Sequence, residues 1–383
     1  MANTFTYIEK KLFTPGPLGC SKPVKEAMLF DLGSRDTQFI NVIKEIRQSL
    51  LDITGASPDE YTAILLQGSG TYSVEAALQM CVPRPGGRLL IVSNGAYGKR
   101  MQAICDTAEI PADLLDFPED GAFDVKKVEK FISESQHVYS AVSAVHLETS
   151  SGVINPAAEL GKVLMQLQKR PLFILDGMSS IGGVSFALDN PASPDVLVTS
   201  ANKCLQSVPG CAIIIARRAV FQQCKGNCRS LSLDLCSQLD GLDTCGQFRF
   251  TPPTHCLLAL HRALEELKSE GGVSARVKRY RENCQTLQHG MELLGFQKLV
   301  KLPEQESHII TSYLCPKHPN FAFNTFYSRL SNKGQVIYPG KVTNADSFRI
   351  GNIGDLYPKD LQHLVSCIKA VLTDMGVPLP VRY

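Results

Sequence analysis

A series of short apolar runs, each closed by small polar residues, constrains this chain most. Residues 63–66 lead into Gln67-Gly68-Ser69-Gly70-Thr71, and residues 89–92 into Ser93-Asn94-Gly95. Residues 141–147 lead into Glu148-Thr149-Ser150-Ser151-Gly152, and 172–175 into Asp176-Gly177-Met178-Ser179-Ser180. Residues 196–198 lead into Thr199-Ser200-Ala201-Asn202-Lys203, and 211–216 form a sixth run. Runs this short, without polar alternation, read as strands buried on both faces. Helical stretches at 73–81, 125–133 and 157–169 separate several of them. The alternation predicts an α/β fold with a mainly parallel sheet flanked by helices. Such sheets bind ligands beyond the carboxyl ends of their strands. Five ends here carry Gly, Ser, Thr, Asn, Asp, Glu or Lys, and one crevice could collect them.

The texture changes after about residue 265. Gly271-Gly272 is a break, and 273–294 reads as a long helix rich in Arg, Lys and Glu. Shorter elements follow at 307–314, 324–331, 335–338, 348–350 and 359–375, as in a small α+β domain. The expected organisation is an N-terminal active-site segment at 1–20, a large domain at 21–265 and a small C-terminal domain at 266–383. Thr14-Pro15-Gly16-Pro17 fixes an extended turn, so the first twenty residues should form no regular element.

Several function classes fall away. Lys+Arg is 39 against Asp+Glu 37, so there is no basic field for a polynucleotide, and nucleic acid is not an expected partner. No apolar run reaches the ~18–20 residues that span a bilayer, so no membrane partner is expected. The start, MANTFTYIEK, lacks a basic end followed by an apolar stretch, so no secretory signal is expected and the cytoplasm is the expected compartment. A short organelle signal stays open. The 13 cysteines are odd in number and irregularly spaced, and read as reduced thiols. Cys224 and Cys228 have no second pair to complete a zinc site, so no metal is expected. No G-x-S-x-G elbow is present, and the Rossmann and P-loop patterns fail. His146 and His255 are isolated and read as structural, and Phe321, Phe323 and Phe326 read as core.

What remains points to one chemistry. Gln67-Gly68-Ser69-Gly70-Thr71 joins a strand to a helix, where free N–H groups and hydroxyls suit a phosphate or serve as an ordinary cap. Asp176 ends one strand, and Lys203 follows another. Pyridoxal phosphate needs a lysine amine for its Schiff base and an anion beside its pyridinium nitrogen. Tyr97, between Gly95 and Gly98, could lie flat against a planar ring or simply cap a turn. Arg349 sits on a predicted strand, and its fork suits carboxylates and phosphonates.

These motifs resemble the class V, fold-type I aminotransferases, which use pyridoxal 5'-phosphate. The likeness runs in order through the GSGT turn, SNGAYGKR, HLETSSG, ILDGMSS, SANKCLQSVPG, RSLSLDL, FRFTPPTH, VIYPGK and FRIGNIGD. It implies that Lys203 joins the cofactor and Asp176 pairs with the ring nitrogen. Ser69, Gly70 and Thr71 would hold the phosphate, Tyr97 would stack on the ring, and Thr149 would bond near the phenolic oxygen. Thr251 would reach the cofactor phosphate of a neighbouring subunit, implying a homodimer with shared active sites. Arg349, with Gly16, would bind the substrate. The branch most resembled moves an amino group from 2-aminoethylphosphonate to pyruvate. Gly33-Ser34-Arg35-Asp36 lacks the Trp-Asp run of bacterial members, which keeps the alanine or serine:glyoxylate branch as the alternative.

Overall fold

A computed structural model describes residues 7–383; the first six residues of the expected N-terminal segment lie outside the described residues. A seven-stranded sheet forms the centre. Its strands are β1 (Tyr61–Gln67), β2 (Leu89–Ser93), β3 (Ala112–Asp116), β4 (Ala141–Val145), β5 (Leu172–Asp176), β6 (Val196–Ser200) and β7 (Cys211–Arg217). The order across the sheet is β1-β7-β6-β5-β4-β2-β3. All six apolar runs are strands, and most of their residues are buried. Only β3 escaped the sequence reading. Its sequence, ADLLD, is an edge strand with aspartates at its second and last positions and no fully buried residue.

Every neighbouring pair is parallel except those made by β7, which runs antiparallel to both β1 and β6. The cause is the link at residues 201–210. A parallel crossover needs about a dozen residues or more, usually with a helix. The chain between β6 and β7 is shorter than that and turns straight back, placing Lys203 in a tight bend at a strand end. Since β1 and β6 both run opposite to β7, the carboxyl ends of β1, β2, β4, β5 and β6 share one edge of the sheet.

Helix Gly70–Cys81 packs across the sheet, with Val74, Ala76, Ala77, Leu78 and Met80 in the large core. Helix Thr254–Glu270 also lies on that core through Leu257, Leu260, Leu264 and Leu267. The expected division after residue 265 falls inside this helix. Its left-handed cap, Gly271 at φ 106°, ends it five residues later. Helix Gly272–Leu293 then leads to a second core built on Phe13, Leu287, Tyr313, Phe326, Phe348 and Ile368, with a three-stranded sheet of its own.

The N-terminal segment departs from expectation. Lys11–Leu12 pairs in parallel with Gln335–Val336 of the small domain, and Phe13 is fully buried in its core. From that anchor the Pro-Gly-Pro turn runs back towards the edge of the large sheet.

Candidate active site

Seven of the expected site residues line one cavity of about 230 Å³ at the carboxyl edge of the sheet: Gly16, Ser69, Gly70, Thr71, Tyr97, Asp176 and Lys203. The topology accounts for this. The ends of β1, β2, β5 and β6 supply the 69–71 turn, Tyr97, Asp176 and Lys203 in turn. Ser69 caps helix Gly70–Cys81, yet its side chain makes no capping bond, so the first N–H groups of that helix are left for another acceptor. A Cβ on Gly70 would overlap the Met178 sulfur, which is why the turn needs glycine there.

Asp176 is buried, and its carboxylate accepts from the Met178 N–H at 2.9 Å. No cation of the described residues pairs with it. Burial therefore lifts its pKa to about 6, against the opposing Met178 bond. Burial pushes Lys203 the other way, below the ordinary lysine range, and so favours a neutral amine. Lys203 Nζ donates to Pro15 O at 2.9 Å and Gly16 O at 3.4 Å. Gly16 has φ +113°, and a Cβ there would meet Lys203 Cδ at 2.5 Å, so the turn can touch the lysine only as glycine.

Thr149 is not among the lining residues; its Oγ1 is buried and unpartnered. Its carbonyl accepts from Arg349 Nη1 at 2.8 Å, while Arg349 Nε donates to Pro339 O at 2.9 Å. Arg349 is thus fixed at the rim, not among the lining residues. Burial lowers its pKa, and the nearby Tyr97, Tyr338 and Glu148 oppose that shift. Thr251 stands apart. It is exposed and lines a second cavity with Gln67, Gly68, Tyr72 and Phe250, behind the 69–71 turn.

Some neighbours were not singled out by sequence. Arg100 lies with its guanidinium 5.0 Å from the Tyr97 ring centre and donates to Thr71 Oγ1 at 3.4 Å. The signal was present: Tyr97 and Arg100 are three apart on helix Ala96–Thr107, hence on one face. Ser200 and Asn202 also line the cavity. Glu148 is fully buried, its carboxylate accepting from the N–H groups of Tyr97 and Ser150 at 3.2 and 3.0 Å. His146 is structural as expected, its Nδ1 2.9 Å from Ser180 Oγ, and burial lowers its pKa to about 4.

The family model described as aminotransferase class-V matches residues 29–328. The chain belongs to the class-V aminotransferase family. A 2-aminoethylphosphonate–pyruvate transaminase of Syntrophobacter fumaroxidans is 45% identical, covering 95% of this chain and 97% of that one. Another of that name, from Klebsiella pneumoniae, is 46% identical over 93% of this chain and 96% of its own. Among solved structures, the ureidoglycine–glyoxylate aminotransferase of Bacillus subtilis superposes with a TM-score of 0.87 at 21% identity, covering 98% of this chain and 96% of that one. This establishes the fold as that of the pyridoxal-phosphate aminotransferases.

The cofactor of this aminotransferase is pyridoxal 5'-phosphate, and the cavity fits that group. A buried carboxylate without a cation, an orphaned buried hydroxyl on Thr149 and uncapped N–H groups on one helix are the unmet needs that a cationic ring, a phenolic oxygen and a phosphate would fill.

Proposed function

We propose that this aminotransferase moves the amino group of 2-aminoethylphosphonate to pyruvate, giving phosphonoacetaldehyde and L-alanine. The observation that carries the reading is that Lys203 and Asp176 line one cavity, with Arg349 held beside it and free of any carboxylate among the described residues. The names of the relatives give the donor and acceptor.

Ser69, Gly70 and Thr71 would hold the cofactor phosphate, and Tyr97 would lie against its ring. Asp176 would face the ring nitrogen, and Thr149 Oγ1 the phenolic oxygen. Pyridoxal phosphate, once bound, supplies a ring that accepts the electron pair left when a proton departs from the amine-bearing carbon. Lys203, whose neutral form burial favours, would take that proton on Nζ and return it to the cofactor carbon on the other side of the nitrogen. The Pro15 and Gly16 carbonyls orient its amine for both transfers. Arg349 grips the phosphonate of the donor, then the carboxylate of pyruvate, because its planar fork matches both anions.

A homodimer follows from the same reading. Thr251 opens on a cavity of its own, edged by half-exposed Tyr72 and Phe250, which suits a second copy whose cofactor phosphate Thr251 would reach. We place the enzyme in the cytoplasm because all thirteen cysteines are free, as a reducing compartment would keep them. Among the described residues no helix is long and apolar enough to cross a membrane.

The test is the absorption spectrum of the holoenzyme with 2-aminoethylphosphonate added and pyruvate withheld. Loss of the yellow band in favour of the shorter-wavelength amine form of the cofactor is expected. A band that ignores this amine but responds to alanine or serine would move the function to the glyoxylate branch.

A further inference from the structure

The loop from Pro339 to Ser347 leaves the small domain and crosses to the mouth of the cavity. Its base is closed by the Gly340 N–H donating to Ser347 O at 2.9 Å. Its tip is tied to the large domain. Thr343 N and Oγ1 donate to Glu119 Oε2 at 2.7 and 3.0 Å, and Lys99 Nζ lies 3.2 Å from Glu119 Oε1. Glu119 is buried, while Thr343 and Lys99 reach it from the exposed side. The consequence is the position of Lys341, whose Nζ stands 4.4 Å from the centre of the Tyr97 ring. Arg349 fixes the start of the same loop through its bond to Pro339 O. Lys341 and Arg349 therefore join Arg100 around Tyr97. Among the described residues, neither Lys341 nor Arg349 has a carboxylate within the 4.0 Å of an ion pair.

We propose that Lys341 is a substrate-specificity residue, a second cation that takes the charge on a phosphonate dianion left over after Arg349 has engaged two of its oxygens. The inference rests on the phosphonate reading above. A guanidinium fork satisfies a carboxylate with two parallel hydrogen bonds and one unit of charge. A phosphonate dianion brings a third oxygen and a second charge, and a lysine on a long stem suits that remainder as a point charge. Pyruvate and alanine are monoanions at their carboxylates and make no such demand. Lys341 thus separates the donor from the acceptor at a site where Arg349 alone treats them alike. Glu119 and Thr343 act as positioning residues, because they set where the loop presents the lysine.

The experiment compares holoenzymes of the wild type, Lys341→Ala, Lys341→Arg and Thr343→Ala. Apparent dissociation constants are read from the spectral change for 2-aminoethylphosphonate and L-alanine. Inhibition constants are read for 2-aminoethanesulfonate, a monoanion of nearly the same shape as the donor. Lys341→Ala should weaken the phosphonate by about 10- to 100-fold, the loss expected for a charged hydrogen bond. The ratio of phosphonate to sulfonate affinity should collapse by the same factor. Lys341→Arg should restore most of that ratio, and Thr343→Ala should lower it in part. An equal loss for all three ligands, or an unchanged ratio, would overturn the assignment of Lys341 and leave the phosphonate reading standing. A wild type whose spectrum ignores 2-aminoethylphosphonate would overturn both.

Discussion

Where helix Gly272–Leu293 meets the large domain, buried polar groups find their partners within the chain, whereas in the neighbouring cavity they do not. Arg276, only 1% exposed, bonds to Glu270 at 2.8 Å and to the Cys204 carbonyl at 3.0 Å. Arg279 bonds to Glu270, to Gln206 and to the carbonyls of Gly354 and Leu356, all within 2.9 Å. The Tyr280 hydroxyl donates to Gln206 Oε1 at 2.7 Å. Among the described residues there, the side-chain oxygens of Ser207, Asn283 and Asn352 go without. One to three residues away along the chain is Lys203, in a cavity lined by an unpaired Asp176, with the buried, unpartnered Thr149 hydroxyl outside its lining. Burying a polar group is costly unless it is bonded, and for a charge the cost is larger. The junction meets this need with the chain's own atoms and so fixes the two domains around the site. The cavity leaves it open, and a ligand that meets it gains binding energy the empty protein lacks.

The contrast predicts that mutations in the two regions separate activity from stability. The largest effect belongs to Lys203→Ala. It should lower turnover by about 10⁴-fold or more, since general-base and covalent roles are lost together. Its urea midpoint without cofactor should hardly move, because Nζ has only two carbonyl partners. Undiminished turnover would remove Lys203 from the mechanism. Arg276→Met is the reverse case. Leaving the Cys204 carbonyl without its donor and Glu270 with Arg279 alone should cost about 1–3 kcal/mol in urea unfolding. Retained stability would mean that the junction is not the lock described.

Much of this was legible in the sequence, and the boundary of legibility is physical. Six strands showed themselves because burial on both faces demands unbroken apolar runs, and their polar ends showed where a ligand would sit. The edge strand Ala112–Asp116 was hidden because neither face is fully buried, so aspartates at 113 and 116 break its apolar run. Helix Thr254–Glu270 was not singled out in the sequence, because Arg262, Glu265 and Lys268 on its outer face interrupt Leu260, Leu264 and Leu267 on its inner one. Asp176 and Lys203 were readable as strand-end residues of the right chemistry. The tie between Glu119 and Thr343 joins residues more than two hundred positions apart, and no local pattern announces it.

Asp176→Asn sharpens the comparison with a smaller effect whose sign depends on pH. Burial raises the folded-state pKa from 3.8 to about 6, so the folded protein holds this proton more tightly than the unfolded chain. The stability tied to it is fully present below pH 3.8 and is lost as pH rises through about 6. A shift of that size corresponds to about 3 kcal/mol at most. The cofactor-free Asn variant, with no charge to bury, should therefore unfold at a higher temperature than the wild type at pH 7.5 and at nearly the same temperature near pH 4. Turnover should fall steeply in the same variant, because the ring nitrogen loses its anion. Equal melting temperatures at both pH values would show that the cavity does not strain the carboxylate.

Thr251 gives the smallest effect and tests whether the cavity is complete within one chain. Its hydroxyl is exposed here and faces a separate cavity, so Thr251→Val should leave the melting temperature of the cofactor-free protein unchanged. If Thr251 of a second copy reaches the phosphate, the variant should bind pyridoxal phosphate about 10-fold more weakly, the loss of one hydrogen bond to a charged group. The loss should be read as a dissociation constant by equilibrium dialysis, at a protein concentration where light scattering reports dimers. An unchanged constant in the dimer would show that the turn at Ser69, Gly70 and Thr71 holds the phosphate alone. The unmet needs of the cavity would then be met by its own walls and one ligand, and the second copy would contribute shape without chemistry.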